Sequence, residues 1–265
     1  MSYKLIAIDL DDTLLGPDKK IIPENALALR RAAQAGIEIV LASGRVYSSI
    51  KPYSEELGLN SHTIAMAGAQ LLTPDGQLIY STNVPPAYAK EAVHWAHSRG
   101  LYYQLYRDDG MYYINDIPEF RKFYSDSNNG LIAKHDPSLL QEDPLFTYKL
   151  LIVDTPENIR KHQAEASEMF PDLRILISQS ELLEFLNPET SKGAALAFLA
   201  EKKGLSRDEI MAIGDSEIDI SMIEYAGTGV AVANSVAGAL KAADFVSASN
   251  VEGGVAQAIN KFLGF

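Results

Sequence analysis

The chain has 265 residues, 47% of them hydrophobic and 22% charged, a balance that suits one or two globular domains with ample core. Its 23 basic against 35 acidic residues give a net charge of -12 without any Lys/Arg cluster, which excludes nucleic acid as an expected partner, since phosphate backbones are held by such clusters. Zero cysteines exclude disulfides, thiolate metal sites and a thiol nucleophile, and suit a reducing cytoplasm.

The first apolar run, Leu5 to Ile8, is continuous rather than alternating, as in a parallel strand covered on both faces. It stops at Asp9, too short for a signal peptide, and no later run approaches membrane-spanning length, so a soluble, unprocessed chain without a membrane partner is expected. Three carboxylates follow in four residues: Asp9, Asp11 and Asp12. Such crowding is tolerable mainly where a cation neutralises it; the bland alternative is a polar strand-to-helix turn. A helix is expected over 23–35, with Pro23 near its start and Gly36 ending it. The next strand, 37–42, ends on Ser43-Gly44-Arg45, and a helical stretch to Leu57 should break or kink at Pro52. A third strand is expected over 63–67, then a hairpin of 70–72 and 77–80 closed by Thr73-Pro74-Asp75-Gly76.

The tandem prolines in Asn83-Val84-Pro85-Pro86 mark a linker. Beyond it aromatic residues accumulate and strands pair as hairpins, over 101–107 with 111–115, then 148–153, a helix over 156–170, and strands 173–178 and 182–186. Asn187-Pro188-Glu189-Thr190 reads as the return linker, after which strands and helices alternate again: helix 191–203, strand 210–213, helix 217–225, strand 229–233, helix 236–243, strand 244–246, helix 254–262. The expected fold is α/β, a Rossmann-like parallel-sheet core (1–83 plus 188–265) with an inserted α/β domain (84–187).

Strand 210–213 ends on Gly214-Asp215, with Asp219 four residues later. Ligands of open α/β sheets bind beyond the carboxyl ends of the strands, where Asp9, Ser43 and Asp215 would all lie. All-oxygen ligands such as Asp9, Asp11 and Asp215 favour Mg2+. Asp215 and Asp219 also suit a helix amino terminus. Ser43 and the Gly44 amide could hold a phosphate. Lys192 is badly placed for the dipole at its helix start, which pairing with Asp9 or with a phosphate would explain. Taken singly, Ser43 suits a helix cap and Lys192 a solvated surface position.

Together, Asp9-Leu10-Asp11-Asp12-Thr13-Leu14-Leu15, Ser43-Gly44-Arg45, Ser191-Lys192-Gly193 and Gly214-Asp215-Ser216-Glu217-Ile218-Asp219 resemble the four motifs of the haloacid dehalogenase superfamily. Their order and the large insertion between the second and third are similar to the Cof-type sugar-phosphatase branch with its α/β cap. The resemblance implies a phosphatase acting on a small phosphorylated metabolite, with Asp9 as nucleophile and Asp11 as proton carrier. It implies Mg2+ on the Asp9 and Asp215 side chains and the Asp11 backbone carbonyl, with Asp219 ordering metal waters or Lys192. Ser43 and Lys192 would hold the phosphoryl oxygens, with Gly44 and Arg45 beside them. Ser216, Ile218 and Ala67 depart from the asparagines common in the family. A receiver-like phospho-acceptor, a non-catalytic ligand-binding relative and a phosphotransferase or mutase are the competing readings.

Three further signals are set aside. Gly227-Thr228-Gly229 follows a helix and precedes a strand, the reverse of a dinucleotide site. Ser48-Ser49-Ile50-Lys51 lacks companion motifs. His94 and His97 share a helix face without a third ligand.

Overall fold

The computed structural model describes residues 3–127 and 132–264. Contacts divide the chain at Ser81–Thr82 and at Thr190–Ser191, so that one unit is assembled from both flanks and the other from the middle.

In the flanking unit the chain opens with β1 (Leu5–Ile8), α1 (Pro23–Gln34), β2 (Glu38–Ala42), α2 (Tyr47–Leu57), β3 (Thr63–Ala65), β4 (Gln70–Leu72) and β5 (Leu78–Ser81). The middle unit comprises α3 (Pro86–Ser98), β6 (Tyr102–Arg107), β7 (Gly110–Tyr113), α4 (Pro118–Ser127), β8 (Lys134–His135), β9 (Leu150–Val153), α5 (Pro156–Met169), β10 (Arg174–Gln179) and β11 (Leu182–Leu186). The flanking unit resumes with α6 (Lys192–Lys203), β12 (Ile210–Gly214), α7 (Ile220–Tyr225), β13 (Thr228–Ala231), α8 (Ala237–Ala242), β14 (Phe245–Val246) and α9 (Gly254–Leu263).

The first sheet has the order β14-β13-β12-β1-β2-β3-β4-β5, parallel from β14 to β3 and antiparallel at the β3–β4–β5 edge. Every residue of β1 is fully buried, as its unalternating apolar sequence requires of a central strand covered on both faces. One face packs Leu5, Ala7, Val40 and Ile64 against Leu196 and Leu199 of α6. Burying each such aliphatic side chain is worth about 1.5–3 kcal/mol. Ile8 is in register with Ile213 on one side and Leu41 on the other, so β1, β12 and β2 end at one level. This register, and not local sequence, brings Asp9, Ser43 and Asp215 to a common edge.

The second sheet, β10-β11-β9-β6-β7-β8, is antiparallel except between β7 and β8. Tyr103, Leu105, Leu150, Ile152, Leu183 and Phe185 alternate onto the face that packs against Ala92, Val93 and Ala96 of α3 and Ile159 and Ala166 of α5. Tyr106 alternates to the opposite face, where Lys149 and Glu184 form a buried ion pair at 2.9 Å. The tyrosines are therefore packing and hydrogen-bonding residues of a small sheet.

Three local expectations are corrected. α2 runs unbroken through Pro52, because Ile50, Tyr53 and Leu57 bury one helix face while the proline ring is exposed, and that burial offsets one missing hydrogen bond. α2 also begins only at Tyr47, with Val46 at its cap, so Ser43 is no helix cap and Gly44 no helix start. α7 begins at Ile220 with Asp219 immediately before it, leaving 215–219 as a loop. α4 was not expected although Phe120, Phe123 and Tyr124 stand at helical spacing, and β8, of two residues, is too short to show a period.

Candidate active site

Asp9 ends β1, and its amide donates to the Ile213 carbonyl at 3.0 Å, which pins the residue to β12. The chain then turns tightly, with Asp12 in the left-handed region at φ 59°. Asn234 Nδ2 secures that turn by donating to the Asp12 carbonyl at 2.7 Å. Thr13 Oγ1 donates to Asp215 Oδ1 at 2.6 Å, so the first motif directly orients the carboxylate of the fourth.

Lys192 is fully buried, not solvated, and its Nζ lies 2.5 Å from both Asp9 Oδ1 and Asp219 Oδ1. Burial alone would lower its pKa, but Asp219 and Asp9 outweigh that and hold the ammonium charged. Asp219 Oδ2 accepts the Asp215 and Ser216 amides at 3.1 and 2.9 Å and the Ser216 hydroxyl at 2.7 Å. Both Asp219 oxygens are therefore engaged, which makes the residue the brace of Lys192 and of the 214–216 turn. Ser216 supplies a hydrogen bond there, while Ile218 is simply buried.

Two glycines permit this closeness. Gly68 has φ +99°, and a methyl group on it would sit 2.2 Å from the Ser191 carbonyl oxygen, so the turn after β3 can support Lys192 only without a side chain. A methyl on Gly214 would sit 2.4 Å from Asp219 Cβ.

Asp9, Asp215 and Asp219 bring carboxylate oxygens within 4.8 Å of one another, a group able to hold a metal ion. Lys192 donates to Asp9 Oδ1 and Thr13 to Asp215 Oδ1, and neither donor engages the Oδ2 of its partner. Burial first, then the Asp219 charge, pushes Asp9 well above the usual carboxylate range. The same two causes raise Asp215 to about 7, against the hydrogen bond from Thr13. One ammonium thus faces three carboxylates, and an all-oxygen cluster of this kind fits a hard divalent cation. The Asp11 carboxylate stands outside the cluster, so only its backbone carbonyl remains for the metal role expected of it.

The Asp11 side chain is instead forked by Arg45, Nε to Oδ2 and Nη2 to Oδ1, both at 2.7 Å, and Lys19 Nζ adds a contact to Oδ1 at 2.9 Å. Burial opposes the charged form, but Arg45 and then Lys19 hold the Asp11 pKa down to about 2. Arg45, expected beside a phosphate, spends two of its nitrogens on Asp11 and keeps a third, Nη1, buried without a partner. Ser43 is buried, and its Oγ accepts the Arg45 amide at 3.2 Å. The expected residues Asp9, Lys192, Asp215 and Asp219 are in direct contact or adjoining, and Asp11 with Arg45 forms a second cluster. Thr13, Lys19, Gly68 and Asn234 were missed. Thr13 and Gly68 stood within or beside the motifs, whereas nothing local marked Lys19 or Asn234.

A family description for haloacid dehalogenase-like hydrolases matches residues 6–259. The chain belongs to that family. It is 30% identical over 284 residues to phosphatase YwpJ of Bacillus subtilis, covering 98% of this chain and all of the relative. It is 27% identical over 278 residues to the pyridoxal phosphate phosphatase YbhA of Escherichia coli, covering 99% and 100%. A crystal structure of a haloacid dehalogenase-like hydrolase from Bacteroides thetaiotaomicron superposes with a TM-score of 0.87 at 28% identity, covering 98% of this chain and all of that one. The α/β fold and an enzyme of the phosphatase type, both expected from the four motifs, agree with these relatives.

The acidic cluster makes stability depend on pH in a defined sense. Folded Asp215 keeps its proton up to about pH 7, whereas the unfolded residue loses it near about pH 3.9. The folded state binds more protons between those values, so in a chelating buffer stability should fall as pH rises through that window. Asp215 alone contributes at most about 1.4 kcal/mol per pH unit, and Asp9, raised in the same sense, adds to the decline. Asp11 acts oppositely, stabilising above about pH 4 and losing that effect as pH falls toward about 2. Urea titrations should show the decline between pH 5 and 7.5 as approximate bounds, reversed at the upper end by a divalent cation that the cluster binds, by about 2.7 kcal/mol at 100 times its Kd. A rise in metal-free stability over that interval would contradict the cluster's electrostatics.

Proposed function

We propose that this protein is a Mg2+-dependent phosphatase that hydrolyses a small phosphorylated metabolite, a sugar phosphate or similar monoester, through an aspartyl-phosphate. The observation that carries the reading is Asp9, buried at the end of the central strand with Lys192 2.5 Å from Oδ1 and Asp215 beside it. The Asp9 and Asp215 side chains and the Asp11 carbonyl would hold Mg2+, which supplies positive charge to the carboxylates and to the transferring phosphoryl group.

Asp9 attacks phosphorus as the bond to the leaving oxygen breaks, and Asp11, which must first give up the Arg45 and Lys19 contacts that keep it ionised and take up a proton, protonates that oxygen. Asp11 then takes a proton from water, whose oxygen bonds phosphorus while the Asp9–phosphorus bond breaks. Ser43 Oγ, the Gly44 amide, Arg45 Nη1 and Lys192 Nζ are the donors for phosphoryl oxygens, and Asp219 keeps Lys192 in place. The -12 net charge does not oppose an anionic substrate, because charge is screened beyond about 8 Å and these local donors dominate. The middle unit is, in this reading, the inserted cap domain. A cytoplasmic location fits the absence of cysteine, and among the described residues no helix is long and apolar enough to cross a membrane.

The test is phosphate release from sugar phosphates, pyridoxal phosphate, flavin mononucleotide and p-nitrophenyl phosphate, with Mg2+ or a chelator, for the native chain and Asp9→Asn. Turnover that needs both Mg2+ and Asp9 is expected. A stable phosphoryl-aspartate without turnover would favour a phospho-acceptor instead. Transfer to a second sugar phosphate in place of water would favour a mutase.

A further inference from the structure

Asn234 lies in the loop after β13, outside all four motifs, and Asn250 in the loop after β14. Both strands run parallel to β12, so both loops leave the sheet at the edge that carries Asp9 and Asp215. Their side chains hold the two ends of the turn that follows Asp9. Asn234 Nδ2 donates to the Asp12 carbonyl at 2.7 Å, and Asn250 Nδ2 donates to the Leu15 carbonyl at 2.9 Å. The Asn250 amide links the two by donating to Asn234 Oδ1 at 2.9 Å. These partners fix the Asn234 side chain in one orientation, because its reverse would set donor against donor and acceptor against acceptor.

The same loop is tied to the fourth motif. The Val236 amide donates to the Asp215 carbonyl at 2.8 Å, and Ser235 Oγ donates to the Gly214 carbonyl at 3.3 Å. Residues 234–236 therefore form a crosspiece between the turn after Asp9 and the segment bearing Asp215. Within that turn, Asp12 is a non-glycine residue at φ 59° and ψ 5°, a costly conformation that persists only where the surroundings impose it. Peptide groups are planar, so φ of Asp12 sets the direction of the Asp11 carbonyl and ψ that of the Asp12 carbonyl. Asn234 grips the second of these and thereby restrains the first.

We propose that Asn234 is a positioning residue for the cation, which by gripping the Asp12 carbonyl holds Asp12 left-handed and fixes the direction of the Asp11 carbonyl, a ligand in the proposed site. This rests on the proposed function. Asn234 touches neither the cation nor the substrate. Asn250 serves the fold instead. Leu15 is fully buried, so its carbonyl is left unsatisfied without Asn250, whereas Asn234 is exposed and water can satisfy the groups it releases. The two asparagines, one hydrogen bond apart, thus have separable effects: loss of Asn250 is felt in stability and loss of Asn234 in cation affinity.

The experiment compares Asn234→Ala and Asn250→Ala with the native chain. Mg2+ alone is titrated into each protein by calorimetry, and urea midpoints are read in a chelating buffer. The Mg2+ concentration that gives half-maximal phosphate release from p-nitrophenyl phosphate is measured alongside. Removing the outer partner of a metal ligand weakens binding by about 10–100-fold, and Asn234 acts through one intervening peptide, so Asn234→Ala is expected to raise the Mg2+ Kd about tenfold. The half-maximal Mg2+ concentration should move in step, kcat at saturating Mg2+ should stay within about twofold, and the metal-free urea midpoint should stay close to the native one. Asn250→Ala keeps the backbone amide that holds Asn234 Oδ1, so it should lower the urea midpoint while raising the Kd less than about threefold. A native Kd in Asn234→Ala, or equal rises in both variants that follow lost stability, would overturn the assignment. A native chain that neither takes up Mg2+ nor releases phosphate would bring down the site and this role together. Native uptake of Mg2+ beside an unaltered Asn234→Ala would bring down the role of Asn234 alone.

Discussion

Asp9→Asn is expected to reduce phosphate release by about 10^4-fold or more, the scale on which removal of a catalytic nucleophile acts, without lowering the stability of the metal-free protein. The two halves of that result have different causes. Asparagine matches the shape of Asp9 but has no carboxylate to form the proposed acyl phosphate, so the proposed covalent route closes. Its neutral amide removes one of three clustered carboxylates, the one that burial and Asp219 already push toward its protonated form. Lys192 keeps Asp219 at 2.5 Å and is not stranded. Urea midpoints in a chelating buffer near neutral pH should equal or exceed the native value. A large loss of stability would mean that Asp9 is held chiefly as a structural partner of Lys192.

Lys192→Met should have the opposite effect on stability while also abolishing turnover. Methionine fills a similar volume but leaves Asp9, Asp215 and Asp219 buried with no compensating cation, and breaking a buried pair from one side costs about 3–5 kcal/mol. Asp219 Oδ1 loses its ammonium while Oδ2 keeps the 215 and 216 amides, so the brace survives in part. The double variant Lys192→Met with Asp219→Asn should recover part of the stability and none of the activity. Additive losses in the two single variants would refute direct coupling, because residues in contact are expected to couple by about 0.5–3 kcal/mol. Asp9→Asn and Lys192→Met thus remove opposite ends of one 2.5 Å contact with opposite expected effects on stability, a pattern peculiar to a cluster with excess negative charge.

Much of the site was legible before the fold. A strand stopping on a carboxylate is a local pattern, and Asp9 and Asp215 both displayed it. Ser43 showed the polar version, and Lys192 stood out because a cation is disfavoured at a helix start. Where local reasoning failed, a longer-range force had won. Lys192 looked solvated because lysines usually are, and only the convergence of Asp9 and Asp219 makes its complete burial tolerable. Pro52 looked like a break because its missing amide is a local cost, whereas the burial of Ile50, Tyr53 and Leu57 that outweighs it is tertiary. Arg45, expected beside a phosphate, also gives two of its nitrogens to Asp11, 34 residues away in the chain, a pairing that no local pattern announces.

By itself, the sequence determined the strand and helix alternation, the fold class, the four motifs and the residue types able to do phosphoryl chemistry. The alternation and fold class follow from short-range periodicity, the residue types from the chemistry of single side chains, and the motifs from resemblance to a known family. Tertiary structure alone decided which groups meet. The level ending of β1, β2 and β12 set Asp9, Ser43 and Asp215 on one edge, and Gly68 let the turn after β3 close on Ser191 to seat Lys192. A strained lysine from an unremarked turn was brought onto Asp11. The physical reason is that a hydrogen bond or ion pair depends on distance in space, and sheet register sets that distance without regard to separation along the chain.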